Sequence, residues 1–252
     1  MLEATLRRDR AVVAGGLLGV AALAWVYVAR MATSPGAMAS MTMPGLTAGA
    51  VPGLGWLVGM WTVMMVAMML PSAAPTILLF AGVSRRRRQQ GRPAVPVAMF
   101  ALAYLLVWTV FAAGAALAQW ELHRRALLSP AMASVTPLFA GGVLIVAGLY
   151  QWMPLKSACL SHCRSPLGFF STEWREGAGG ALLMGMRHGT FCVGCCWMLM
   201  ALLFVAGVMN LIWVAVIAGF VLIEKLARYG QAIGRLAGIG LVLWGVWVLG
   251  VA

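Results

Sequence analysis

Residues 54–83 read LGWLVGMWTVMMVAMMLPSAAPTILLFAGV, thirty residues without a charge. About 20 apolar residues suffice to cross the hydrocarbon core of a bilayer as a helix. This stretch therefore predicts a membrane span. The remaining sequence agrees with that reading. The chain is 63% hydrophobic and 10% charged over 252 residues, whereas soluble domains carry about 25% charged residues. The expectation is an all-α fold: one polytopic transmembrane helical bundle over residues 1–252, with about seven helices. The number falls to about six if the first is cleaved, or if the fifth and sixth form a re-entrant pair.

Within the opening stretch Met60, Met64 and Met68 recur at i, i+4 and i+8 and share one helical face, with Met65 and Met69 beside them. Pro71 and Pro75 each remove a backbone donor, so a kink or break is expected near Leu70. Carbonyls freed at membrane depth must face protein or a cavity. The Met stripe reads either as a path for a soft metal or as flexible apolar packing.

Working outward, a basic start (Met1 to Arg10) leads into an apolar run from Ala11 to about Met31. It exceeds the roughly 7–15 residues of a signal core, so a retained helix is expected, with cleavage near Ala37 to Ser40 as the alternative. Gly15 and Gly19 form a small-residue pair suited to close helix packing. Residues 31–55 form a loop rich in Pro, Gly, Ser and Thr that carries Met31, Met38, Met41 and Met43. Its thioethers are candidates for Cu(I) contact or are simply apolar filler.

After the opening stretch come Arg85, Arg86, Arg87, Arg88 and Arg92 in a loop from Ser84 to Pro96. Arginine accumulates in cytoplasmic loops, so this loop is expected inside and in contact with anionic headgroups. The net charge of +12 is explained in the same way, and nucleic acid is not an expected partner. Further spans are expected over about Val95–Trp120, Ala133–Met153, His188–Val208, Leu211–Leu226 and Leu236–Ala252. Asn210 marks a turn, and Gly234 and Gly238 form a second close-packing pair. A cytoplasmic N-terminus places Lys156, Arg164, Arg175, Arg187, Lys225, Arg228 and Arg235 on the inside with the arginine run. The expected location is the bacterial inner membrane.

Chemistry concentrates in residues 150–196, which hold all 5 cysteines and two of the 3 histidines. Cys159, His162 and Cys163 fit C-x2-H-C; His188, Cys192, Cys195 and Cys196 stand at i, i+4, i+7 and i+8. Such spacings gather thiols and imidazoles on one helical face. Soft ligands of this kind suit Cu(I), Zn(II) or an iron–sulfur centre. A lone cysteine is usually a small buried apolar residue, but five beside two histidines point to metal. On the cytoplasmic side thiols stay reduced, which favours ligation over disulfides. Glu224 ends an apolar run and reads as a ligand, a partner of His188, a proton acceptor, or half of an interfacial pair with Lys225. The candidate metal residues are thus Cys159, His162, Cys163, His188, Cys192, Cys195 and Cys196, with Glu224, Met64 and Met68 as further members.

The phrases WTVMMVAMMLPS (61–72), YQWMPLKSACLSHCRSP (150–166), GTFCVGCCWMLM (189–200) and MNLIWVAVIAGFVLIEKL (209–226) together resemble the DUF2182 family, described as metal-binding integral membrane proteins of bacteria. The resemblance implies a membrane location and a metal site at Cys159, His162, Cys163, Cys192, Cys195 and Cys196. It implies no reaction. The function expected is the handling or delivery of a soft metal, copper or zinc, through a cytoplasmic-side Cys/His cluster, with a metal-delivery protein as partner. The alternatives are a membrane thiol or metal-dependent oxidoreductase, with exchange between the two cysteine halves, and a structural zinc clasp. The sequence carries neither a phosphate-binding P-loop nor a serine-hydrolase signature.

Overall fold

The computed structural model describes residues 2–33, 53–93, 95–125, 127–128 and 136–251. The Met-rich stretch 31–55 falls mostly outside them, as do the cleavage alternative at 37–40 and the expected start of a helix at 133–135. Among the described residues the regular elements are helices: α1 (Leu2–Thr33), α2 (Leu54–Gln89), α3 (Val97–Arg124), α4 (Pro137–Tyr150), α5 (Pro154–Arg164), α6 (Pro166–Glu173), α7 (Gly177–Ala201), the single turn α8 (Leu203–Ala206), α9 (Leu211–Leu226) and α10 (Gly230–Val251). The all-α bundle is as expected. Five helical stretches are long and apolar enough to cross a membrane, and α4 with α5, bent by 62° at residues 151–153, could make a sixth. α9 has 16 residues and is too short to join them.

α2 is the central helix. Its apolar window is 61% buried, against 17% in α1 and in α10. α1 packs on α2, α3 packs on α2 and α7, and α4 packs on α10. The outward faces remain apolar, with Leu18, Leu102, Val110, Leu138, Ile212, Leu243 and Trp247 all exposed. Apolar surface of this extent marks a partner other than water, and a lipid bilayer is the partner that suits long helices.

Several local expectations need correction. α2 runs without a break through Pro71 and Pro75 and ends only at Gln89, so the arginines at 85–88 lie on the helix rather than in a loop. Near the prolines, Ser72 Oγ (2.9 Å) and Tyr104 OH (3.2 Å) both donate to the Met69 carbonyl. Such side-chain donors are what let a proline persist inside a membrane helix. The Gly15–Gly19 pair has open space where a Cβ would stand. α1 turns Ala21, Ala24, Val28 and Met31 inward instead. The segment before His188 is helical from Gly177, because tertiary packing outweighs the low helix propensity of its glycines.

The second glycine pair does mediate close packing. A Cβ on Gly238 of α10 would stand 2.8 Å from the Gly148 carbonyl of α4. Backbone cannot yield as a flexible side chain would. Gly238→Val is therefore expected to cost at least the roughly 1–3 kcal/mol typical of overpacking. Thermal unfolding in detergent should show it, with Gly19→Ala unchanged. Equal melting of the two variants would refute the contact.

Two sets of contacts define one end of the bundle. Arg87 and Arg92 each lie 3.5 Å from Glu176, joining the end of α2 to the start of α7. Phe80 stacks on Phe100 at 4.5 Å and meets Phe170 of α6 at 5.5 Å. At the opposite end Gly207 takes φ +94°, a left-handed conformation that suits glycine. The Asn210 side chain then caps α9 by accepting from Ile212 N and Trp213 N.

Candidate metal centre

α7 carries the larger half of the cysteine cluster, inside the bundle rather than at a helix end. Cys192 lies fifteen residues beyond Gly177, about 22 Å along the axis at 1.5 Å per residue. His188, Cys192, Cys195 and Cys196 are all buried. Two glycines bring α7 against α3. A Cβ at Gly189 would stand 2.9 Å from Val107 Cβ, and one at Gly185 would strike the Phe100 carbonyl. That approach sets Tyr104 OH 3.1 Å from Cys192 Sγ.

α5 supplies the other half. A Cβ at Gly194 would stand 2.7 Å from Cys159 Sγ, so the missing side chain admits the cysteine. Tyr150 OH at the end of α4 donates to the Gly194 carbonyl and pins the bent pair to α7. One turn further, Cys163 is buried in the same core as Cys192, Cys195 and Cys196. The two cysteine motifs, 29 positions apart when counted from Cys163 to Cys192, thus meet.

Two more helices complete the surroundings. From α2, the Met69 thioether lies 3.9 Å from Cys196 Sγ. From α9, the Lys225 ammonium donates to Ser72 Oγ at 2.9 Å and to Cys192 Sγ at 3.0 Å. Lys225 is buried, and a buried ammonium needs compensating negative charge. The thiolate, not the thiol, is the metal-binding form of cysteine, and Lys225 places a positive charge where thiolate charge would collect. His188 stacks on Tyr104 at 5.6 Å, and its Nδ1 has no hydrogen-bond partner among the described residues.

The sequence-predicted residues therefore separate. Cys163, Cys192, Cys195 and Cys196 share one buried core, with His188 one turn away on α7. Cys159 sits half-buried at the edge. His162 is exposed; its ring stacks on Phe191 at 4.2 Å and its Nδ1 lies 2.9 Å from the Ala158 carbonyl. Glu224 pairs with Lys156 through both carboxylate oxygens, at 2.7 and 2.8 Å, rather than with His188. Met64 and Met68 are buried in the core, but the thioether beside a thiol belongs to Met69. Sequence reasoning missed Tyr104, Ser72 and Lys225. Lys225 did carry a signal, as an ammonium closing an apolar run, but Tyr104 carried none.

Among the described residues no three His, Cys, Asp or Glu side chains stand ready as a metal-holding group. Cys195 and Cys196 both turn their thiols back to the Cys192 carbonyl, at 3.1 and 2.9 Å. Ligation requires these thiols to leave that carbonyl and rotate toward Cys163 and Cys192. The donor set itself, thiols with a thioether in a dry core, is the kind that selects Cu(I).

A protein-family model described as PpoB2, copper chaperone, matches residues 58–248. The match covers α2 through most of α10 and includes every residue of the cluster. It is a metal-handling family, as the resemblance implied, under another description. No curated protein and no solved structure matches the chain.

Proposed function

The chain belongs to the PpoB2 copper chaperone family, and from that premise we propose that it carries Cu(I) as cargo on thiols inside a membrane bundle. The observation that carries this reading is the burial of Cys163, Cys192, Cys195 and Cys196 in one core, with the Met69 thioether 3.9 Å from Cys196 Sγ. Soft sulfur prefers Cu(I) over the harder divalent ions. Zn(II) is the rival cargo, since it too takes thiolate and imidazole, usually in closed tetrahedral sites.

The chemistry is ligand exchange. Copper would reach the cluster at its edge, where Cys159 is half-buried, and pass to the buried thiols one ligand at a time. Each thiol that binds gives up a proton. The thiols of Cys195 and Cys196 exchange a weak bond to the Cys192 carbonyl for a bond to metal. Delivery reverses these steps onto a metal-delivery protein. We place the chain in the bacterial inner membrane with the arginine run on the cytoplasmic side. This rests on Arg85 to Arg88 at the end of α2 and on the excess of Lys and Arg in cytoplasmic segments.

Elemental analysis after anaerobic purification tests the reading. Wild type loaded with Cu(I) should hold copper at about one ion per chain or more. The triple variant Cys192→Ser, Cys195→Ser, Cys196→Ser should fall to background. Copper retained at the wild-type level would defeat the proposal, and zinc in place of copper would reassign the cargo.

A further inference from the structure

A cavity of about 660 Å3 opens where α5 ends and α9 turns into α10, lined by Arg164, Arg228 and Arg235 together with Trp152, Ser161 and Ser165. It is separate from the thiol cluster. Among the described residues no Asp or Glu lines it. Three guanidinium groups facing one space repel one another unless an anion joins them. The size falls within the range of small-molecule sites.

The arginines are arranged rather than loose. Arg164 is the anchored member, donating to the Glu224 carbonyl at 2.6 Å and to the Arg228 carbonyl at 3.0 Å. Arg228 lies 5.8 Å from the ring centre of Tyr229, and Arg235 lies 5.9 Å from that of Trp152. Contact with an aromatic ring limits a guanidinium's freedom while leaving N–H groups to bind an oxyanion. Neither Arg228 nor Arg235 has a carboxylate partner among the described residues. Glu224 shares a small adjoining cavity with Arg235, but its carboxylate is taken up by Lys156.

The surroundings indicate what presents the anion. Trp152, Tyr229 and Leu236 line the cavity and are each more than half exposed. Aromatic and aliphatic side chains exposed beside arginines are the composition of a membrane interface. Basic pockets between membrane helices hold phosphate headgroups, and arginine matches the geometry of phosphate oxygens. We propose that this cavity binds a phosphate group, presented by an anionic phospholipid, with Arg228 and Arg235 as its principal contacts.

The test uses the full chain in nanodiscs of phosphatidylglycerol or of phosphatidylcholine, with retained lipid counted by native mass spectrometry after gentle release. Wild type should retain phosphatidylglycerol in preference to phosphatidylcholine. The double variant Arg228→Gln, Arg235→Gln should lose that preference by on the order of 30-fold. Its copper content should stay at the wild-type level, which shows that the bundle is intact. A second double variant, Arg86→Gln, Arg88→Gln, removes the same charge elsewhere and should keep the preference. An equal loss there would mean diffuse surface charge and would overturn the proposal. So would an unchanged preference in the first variant. Displacement of the lipid by millimolar inorganic phosphate would overturn the lipid assignment and give the cavity to free phosphate.

Discussion

Cys163→Ser is expected to reduce Cu(I) binding far more than Cys159→Ser, although the two residues belong to one motif. Cys163 is the cysteine of α5 that is buried in one core with Cys192, Cys195 and Cys196. It is buried, so nothing else from α5 replaces it as a ligand. A serine hydroxyl there keeps the volume nearly constant but presents a hard oxygen to a soft ion. Changes to groups that merely surround a metal site typically lower affinity by roughly 10–100-fold, so loss of a direct thiolate should exceed that range. Cys159 sits at the rim against Gly194. Its loss should leave the final copper content intact and slow loading from a copper–thiol donor. Competition with a chromophoric Cu(I) chelator gives the affinities, and stopped-flow mixing gives the rates. Wild-type affinity in both variants would show that neither cysteine of α5 is a ligand, and the cluster would then belong to α7 alone.

Glu224→Gln is expected to unfold the bundle at a markedly lower temperature. Lys156 and Glu224 are almost fully buried, with side-chain exposures of 3% and 2%. The pair joins α5 to α9, and the Gln151 side chain accepts a further hydrogen bond from Lys156. Removing one charge leaves the other buried without its partner, which typically costs about 3–5 kcal/mol. Replacing both at once removes that penalty: Lys156→Met with Glu224→Met should recover most of the loss, since apolar replacement of a buried pair is often neutral or stabilising. Thermal and denaturant unfolding of both variants beside wild type would measure the loss and its recovery. The same set separates two roles for Glu224. If the double variant is stable and binds copper as wild type does, Glu224 is a structural partner of Lys156. If it is stable and loses copper, Glu224 belongs to the metal site.

The fold class was legible because it follows from composition and run length. A thirty-residue apolar run predicts a long apolar helix, and α2 is long and apolar enough to cross a membrane. Helix boundaries were less legible where glycine or arginine interrupts the pattern. Residues 177–187 contain four glycines and an arginine, yet they extend α7 by packing against α3. The same packing moved the thiol cluster from a helix end, where the sequence placed it, to a point well inside α7. Pro71 and Pro75 were read as a break because proline removes a donor. The side chains that steady the backbone beside them, Ser72 and Tyr104, are separated by 32 positions, and sequence spacing says nothing about such a meeting.

By itself the sequence determined that this chain is an apolar helical bundle and that its soft ligands concentrate in two motifs, because both are properties of local runs and spacings. Only the tertiary structure decided which of those ligands share a core. Whether Cys163 points at Cys192 depends on the bend between α4 and α5 and on the absent side chain at Gly194. Whether Lys225 or Glu224 reaches the thiols depends on the rotation of α9 about its own axis. Adjacent residues on a helix point about 100° apart, so one turns to the cysteines and the other to Lys156. That rotation is fixed by packing among α2, α5, α7 and α10, which no single stretch of sequence contains.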